Sequence, residues 1–177
     1  MTEKNDTSML TEKYIFRNIR QEEIAQTSEI EKICFPPNEA CSYEHMEDRV
    51  KKAPELFLVA EDRATGKIAG FLNGLATDRE HLTDDFFTDA EIHDPKGKNI
   101  MLLGLDVLPK YQHQGLAREL VRCYKEREKV NGREKLILTC LPDKVEMYQK
   151  FGFKDHGIGD SVWGGEAWHE MSVELWG

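Results

Sequence analysis

The segment from Asn99 to Val107 limits the fold more than any other in this chain. Ile100-Met101-Leu102-Leu103-Gly104-Leu105-Asp106-Val107 is nearly all apolar. A strand wet on one face alternates in polarity, so an unbroken apolar run belongs in the middle of a sheet covered on both faces. Pro109 ends the run, and after a short turn Leu116–Val130 places Leu116, Leu120, Val121 and Tyr124 on one helical face. Asn131-Gly132 closes that helix, glycine suiting the left-handed position after a C-terminus. A buried strand feeding directly into an amphipathic helix predicts an α/β chain.

The flanking elements extend this pattern. Residues 1 to about 12 form an expected flexible tail before a domain over 13–177. Tyr14 to Ile19 reads as a first strand, and Glu22 to Cys34 as a helix carrying Ile24, Ser28, Ile30 and Ile33, ended by Pro36-Pro37-Asn38. Ser42 is placed to cap a second helix, Tyr43 to Lys52. Leu56 to Glu61 and Ile68 to Leu75 make a hairpin about the turn Arg63–Lys67. Residues 77 to 98 are acidic and irregular. Beyond the central unit come a strand, Leu136 to Cys140, a helix opening at Pro142, and a strand pair around 153–159 and 166–176. These make one mixed α/β sheet with no internal repeat.

Composition excludes several classes. With 177 residues, 40% apolar and 32% charged, the chain suits one globular domain. Its net charge of −9 repels nucleic acid and anionic membranes, so neither is expected as a partner. Cys34, Cys41, Cys123 and Cys140 form no CxxC pair, and no metal site is expected. No apolar stretch reaches the roughly 20 residues of a membrane span. Met1 to Lys13 lacks the apolar region of a signal peptide, so the expected compartment is the cytoplasm with thiols reduced.

The turn into the long helix carries the chemistry. A helix N-terminus presents free backbone N–H groups and a positive dipole end, which together favour an anion such as a pyrophosphate. Gly115 allows close approach with no Cβ in the way. No Lys-Ser/Thr follows, as a P-loop requires, and the three glycines of a dinucleotide fingerprint are missing. On its residues alone the turn could equally be an ordinary connection.

In context, Gln112-His113-Gln114-Gly115-Leu116-Ala117 resembles the acetyl-CoA motif Gln/Arg-x-x-Gly-x-Gly/Ala of the GNAT superfamily of N-acetyltransferases. Tyr148-Gln149-Lys150-Phe151-Gly152-Phe153 resembles that family's second hallmark, and the resemblance covers about residues 14 to 176. Ala53–Phe57, Asp78–Thr83 and Met147–Phe153 are most similar to the arylalkylamine group, which includes the serotonin enzyme. The resemblance implies a mixed sheet of about six to seven strands flanked by about four helices, with the cofactor in a cleft between splayed central strands. It implies acetyl-CoA as cofactor, with Leu105, Asp106 and Val107 bonding the pantetheine arm. The amides from His113 to Arg118, with Gln112, Gln114, Gly115, Leu116 and Ala117 in the same turn, would hold the pyrophosphate. A backbone N–H near Leu105 would serve the oxyanion. Tyr148 would protonate the leaving thiolate, and the acceptor would be a small-molecule primary amine. A homodimer is left open.

One departure concerns the base. The arylalkylamine enzymes place histidines where Met101 and Leu103 stand here, and neither accepts a proton. His45, His81, His156, a carboxylate in the 78–94 loop or a water wire remain as alternatives. Trp163, Trp168 and Trp176 are candidates for stacking on a substrate ring or for the core. A non-catalytic acyl-CoA-binding module and a protein N-acetyltransferase are the competing functions.

Overall fold

In the computed structural model, which describes residues 9–176, the apolar run is β4 (Asn99–Val107), fourth in a mixed sheet of seven strands. The others are β1 (Tyr14–Asn18), β2 (Phe57–Asp62), β3 (Ile68–Thr77), β5 (Lys135–Cys140), β6 (Lys154–Ile158) and β7 (His169–Glu174), in the order β1-β2-β3-β4-β5-β7-β6. Helices α1 (Ile24–Cys34), α2 (Tyr43–Lys52), α3 (Asp85–Thr88), α4 (Leu116–Val130) and α5 (Val145–Lys150) surround it. The α/β expectation with a mixed sheet holds. Apolar side chains of β2, β3, β4, β5 and α4, Leu58, Leu72, Ile100, Leu120 and Leu136 among them, form the main core, and a second cluster under α1 and α2 includes Ile30, Met46 and Val50.

Two irregularities of β4 open the site. Pairing with antiparallel β3 passes from Asn73 opposite Gly104 to Gly74 opposite Leu102, which leaves Leu103 as a bulge. On the other edge β4 runs parallel to β5 only through Asn99–Lys135, Ile100–Leu136 and Met101–Ile137. Past Met101 the strands part, and the backbone from Leu102 to Val107 has no partner strand on that side. The first half of β4 is buried accordingly, while Leu103, Gly104 and Leu105 are half-buried.

Elsewhere the structure refines the expected elements. Residues 9–13 are helical, with Leu10 in the core, so the expected tail over 1–12 includes ordered residues; its residues 1–8 lie outside the described ones. Glu23 sits in a single 3-10 turn ahead of α1, pairing Arg17 at 2.6 Å and accepting from the Arg20 amide at 2.9 Å. The Ser42 hydroxyl caps α2 through the His45 amide at 3.2 Å. The stretch 77–98, expected to be irregular, holds α3 and a 3-10 turn, because Leu82 and Phe86 plug the core and His93 accepts from the Ala76 amide.

Candidate active site

The turn before α4 is built to leave donors free. Gly115, the N-cap of α4, has φ +84°, and His113 also takes a positive φ, +62°. These left-handed residues turn successive amides toward one side, and no hydrogen bond among the described residues uses the amides of His113 to Ala117. A Cβ at Gly115 would meet only Leu10 Cδ1, at 3.9 Å, so the space in front of the turn is open. Gln112 is spent locally: its Nε2 donates to the Val107 carbonyl at 3.1 Å, which ties the turn to the end of β4. Gln114 Oε1 accepts from Lys13 Nζ at 2.8 Å. Arg118, Lys144 and Lys150 line the cavity that this turn opens on and add positive charge to it.

From this turn a cavity of about 960 Å³ runs along the unpaired edge of β4 and under α1 and α2. Leu105 and Val107 line it, whereas Asp106 between them is fully buried and does not. Tyr148, in α5, lines it as well. Gly152, at φ +99°, folds the chain back after that helix. Phe153 thereby donates its amide to the Tyr148 carbonyl at 3.0 Å and packs edge-on to the Tyr148 ring at 5.7 Å. Phe151 meets the ring from another side at 6.0 Å. The Tyr-x-x-Phe-Gly-Phe spacing is thus a device for orienting one phenol. Burial, above all, pushes that phenol well above its ordinary range, so it stays a proton donor.

The inner end is acidic and aromatic. Glu31 and Glu39 line it, together with Phe87 and Trp163, which stack at 5.0 Å. Burial and the neighbouring Glu166 carboxylate raise Glu39 to about 7. Cys34, Cys41 and Cys140 also line the cavity, but burial pushes them up to about 11, 12 and 12, so they are thiols at neutral pH.

The base candidates named from sequence lie elsewhere. His81 pairs with Glu170 at 2.8 Å, His156 with Ser172 at 2.6 Å, and none of His45, His81 and His156 lines the cavity. Asp84, in the 78–94 loop, holds the Ser161 hydroxyl and the Val162 amide. Trp163 and Trp168 do line the cavity; Trp176 is exposed and bonds the Arg133 carbonyl. Sequence reasoning missed Glu31, Glu39 and Arg49. A signal existed for two of them. Ile24, Thr27, Ser28 and Glu31 make the buried stripe of α1, and Met46, Arg49 and Val50 that of α2. A charged residue on such a stripe is costly to bury without a purpose.

Among the described residues no helix is long and apolar enough to cross a membrane, and no three His, Cys, Asp or Glu side chains are grouped to hold a metal ion. The chain is 28% identical over 158 residues to the Bacillus subtilis (strain 168) protein YhcX, described as a probable hydrolase. That match covers 85% of this chain but only 30% of the relative's length. In fold it is similar to the loading GNATL domain of CurA from Lyngbya majuscula, with TM-score 0.79 and 18% identity over 92% of this chain and 98% of that one. It is also similar to the GphF GNAT-like decarboxylase solved with isobutyryl-CoA, with TM-score 0.75 and 18% identity over 91% and 99% of the two chains. The acetyltransferase (GNAT) family pattern matches residues 24–153, which hold the split strand, the amide turn and Tyr148. The chain belongs to the acetyltransferase (GNAT) family.

Proposed function

We propose that this chain transfers an acetyl group from acetyl-CoA to a small primary amine, aryl or alkyl, by direct attack. The observation that carries this is a single cavity joining the free amides at Gly115 to an acidic, aromatic chamber, with Tyr148 on its wall. The residues fit a CoA ester. The amides of His113 to Ala117 suit the pyrophosphate, with Arg118, Lys144 and Lys150 around it. The unpaired edge from Leu105 to Val107 suits the pantetheine amides as an added strand. A backbone N–H near Leu105 serves the oxyanion that develops on the thioester carbonyl.

The amine enters from the chamber side. Glu31 and Glu39 attract an ammonium group, and the Phe87–Trp163 pair offers a flat apolar wall for its ring or chain. Attack by the neutral amine forms the N–C bond, and collapse breaks the C–S bond. The CoA thiolate takes a proton from Tyr148. The protonated thiols of Cys34, Cys41 and Cys140 make an acyl-cysteine route unfavourable, which supports direct attack over a two-stage transfer.

Incubation with acetyl-CoA and a panel of aryl, alkyl and polyamines, followed by thiol release, tests this. Turnover with at least one primary amine is expected. CoA binding with no turnover across the panel would instead support a non-catalytic acyl-CoA module.

A further inference from the structure

A group of buried polar atoms beside the β4 bulge lacks N–H and hydroxyl donors. Glu31 is 4% exposed, lines the cavity and has no N–H or hydroxyl donor to its Oε1. Its Oε2 accepts from the Cys41 amide at 3.0 Å, which fixes the carboxylate. Asp106, on β4, is fully buried; no N–H or hydroxyl donor reaches either carboxyl oxygen, and its hydrogen-bonding neighbour is the Glu31 carboxylate. Both converge on Gly104, where an added Cβ would sit 3.2 Å from Asp106 Oδ1 and 3.6 Å from Glu31 Oε1. Asn73 from β3 also reaches this point, and it accepts from Arg49 of α2 at 3.4 Å. Arg49 itself is buried and lines the cavity, with its Nε unbonded. Burying two carboxyl groups against each other, beside an unbonded guanidinium nitrogen, is costly, and such groups are retained chiefly where a site uses them.

We propose that Glu31, backed by Asp106, takes the proton from the incoming ammonium group. This rests on the amine-acetylation reading above. The position suits the task, because the bulge at Leu103 and the half-buried Gly104 and Leu105 form the wall next to which the thioester carbonyl would lie. Tyr148 lines the same cavity as Glu31, so the base and the proton donor serve one centre. The groups facing Glu31 are Cys34 on its own helix, Cys41 in the following loop, Arg49 on α2, Asn73 on β3 and Asp106 on β4. Burial and the Glu31 charge hold Asp106 protonated, and Arg49 lies beyond Asn73 as the balancing cation. Asp106 is therefore a positioning residue that keeps a second negative charge from Glu31, while Glu31 meets the substrate.

The protons balance. The ammonium gives one proton to Glu31, and the neutral amine attacks the carbonyl carbon. As the C–S bond breaks, the thiolate takes the Tyr148 proton. The second nitrogen proton replaces the one Tyr148 gave up, and Glu31 returns its proton to water.

Turnover measured against pH with two acceptors tests this: an alkylamine that is protonated at neutral pH, and aniline, which is already neutral. Glu31→Gln should lower kcat for the alkylamine on the order of 100-fold and abolish its acidic limb, because a positioned base contributes about 10²–10⁴. Turnover of aniline should fall far less, and CoA affinity by calorimetry should hold. Should Glu31→Gln fold poorly, Glu31→Asp must show the same ordering of losses. Equal losses for both acceptors, or an unaltered alkylamine profile, would overturn the assignment of Glu31 alone. Wild-type protein that binds CoA and acetylates neither these nor any other amine of the panel would overturn the amine-acetylation reading and this one with it.

Discussion

Helix α4 carries a built-in controlled comparison, because it begins and ends on glycines with the same backbone angle. Gly115 at its N-terminus and Gly132 just past its C-terminus both have φ +84°. Gly132 closes a Schellman motif, its amide reaching Lys129 O at 3.0 Å and the Arg133 amide reaching Glu128 O at 3.0 Å. A Cβ at Gly132 would meet nothing within 4 Å, and one at Gly115 only Leu10 at 3.9 Å. Alanine at either position therefore adds left-handed strain and no clash, about 1–2 kcal/mol. In a chain this long that is roughly a 2–8 °C fall in Tm. Only at Gly115 does the methyl stand before the free amides. Losing one charge-assisted amide contact, about 1.5–3 kcal/mol, weakens CoA binding roughly 10- to 150-fold. Thermal melts should thus show similar losses for Gly115→Ala and Gly132→Ala, while calorimetry with CoA should show weakened binding for Gly115→Ala alone. CoA binding unchanged in Gly115→Ala, or lost equally in both, would refute the assignment of the turn.

Three further outcomes are expected. Tyr148→Phe should lower kcat at least tenfold while CoA affinity stays within threefold; parallel losses in both would remove Tyr148 as the proton donor. Glu39→Gln should raise KM for cationic amines. Because Glu39 is raised from 4.5 to about 7, its contribution to stability is full below pH 4.5 and is lost as pH rises through about 7. The wild-type Tm should therefore fall across that window, and the Glu39→Gln Tm should fall less. Trp163→Ala removes the partner of Phe87 and should raise KM for arylamines on the order of tenfold, with a smaller rise for alkylamines; a KM ratio unchanged from wild type would take Trp163 out of acceptor binding.

The sequence exposed the parts of the site that depend on local backbone. The apolar run of β4, the amphipathic α4 and Gly115 are patterns of neighbouring residues, and each appears where expected. Tyr148 was visible because Gly152 and Phe153 follow it at fixed spacing, and the +99° φ of Gly152 explains that spacing. The acidic, aromatic part of the cavity was not legible, since it is assembled from α1, the loop at Cys41, α2 and the segment around Trp163, which meet only in the folded chain. The bulge at Leu103 was hidden too, because it is a property of the register between β3 and β4. Gln112 was expected to serve the pyrophosphate, but its side chain is taken up in bonding Val107. His45, His81 and His156 do not line the cavity for the same reason that Glu31 was overlooked: accessibility to a cleft follows from tertiary packing.

Product stoichiometry tests the central claim most directly. With acetyl-CoA and an accepted primary amine, each CoA thiol released should be matched by one acetylated amine, identified by mass. Thiol release without acetylated amine, as a thioester hydrolase would give, would contradict it.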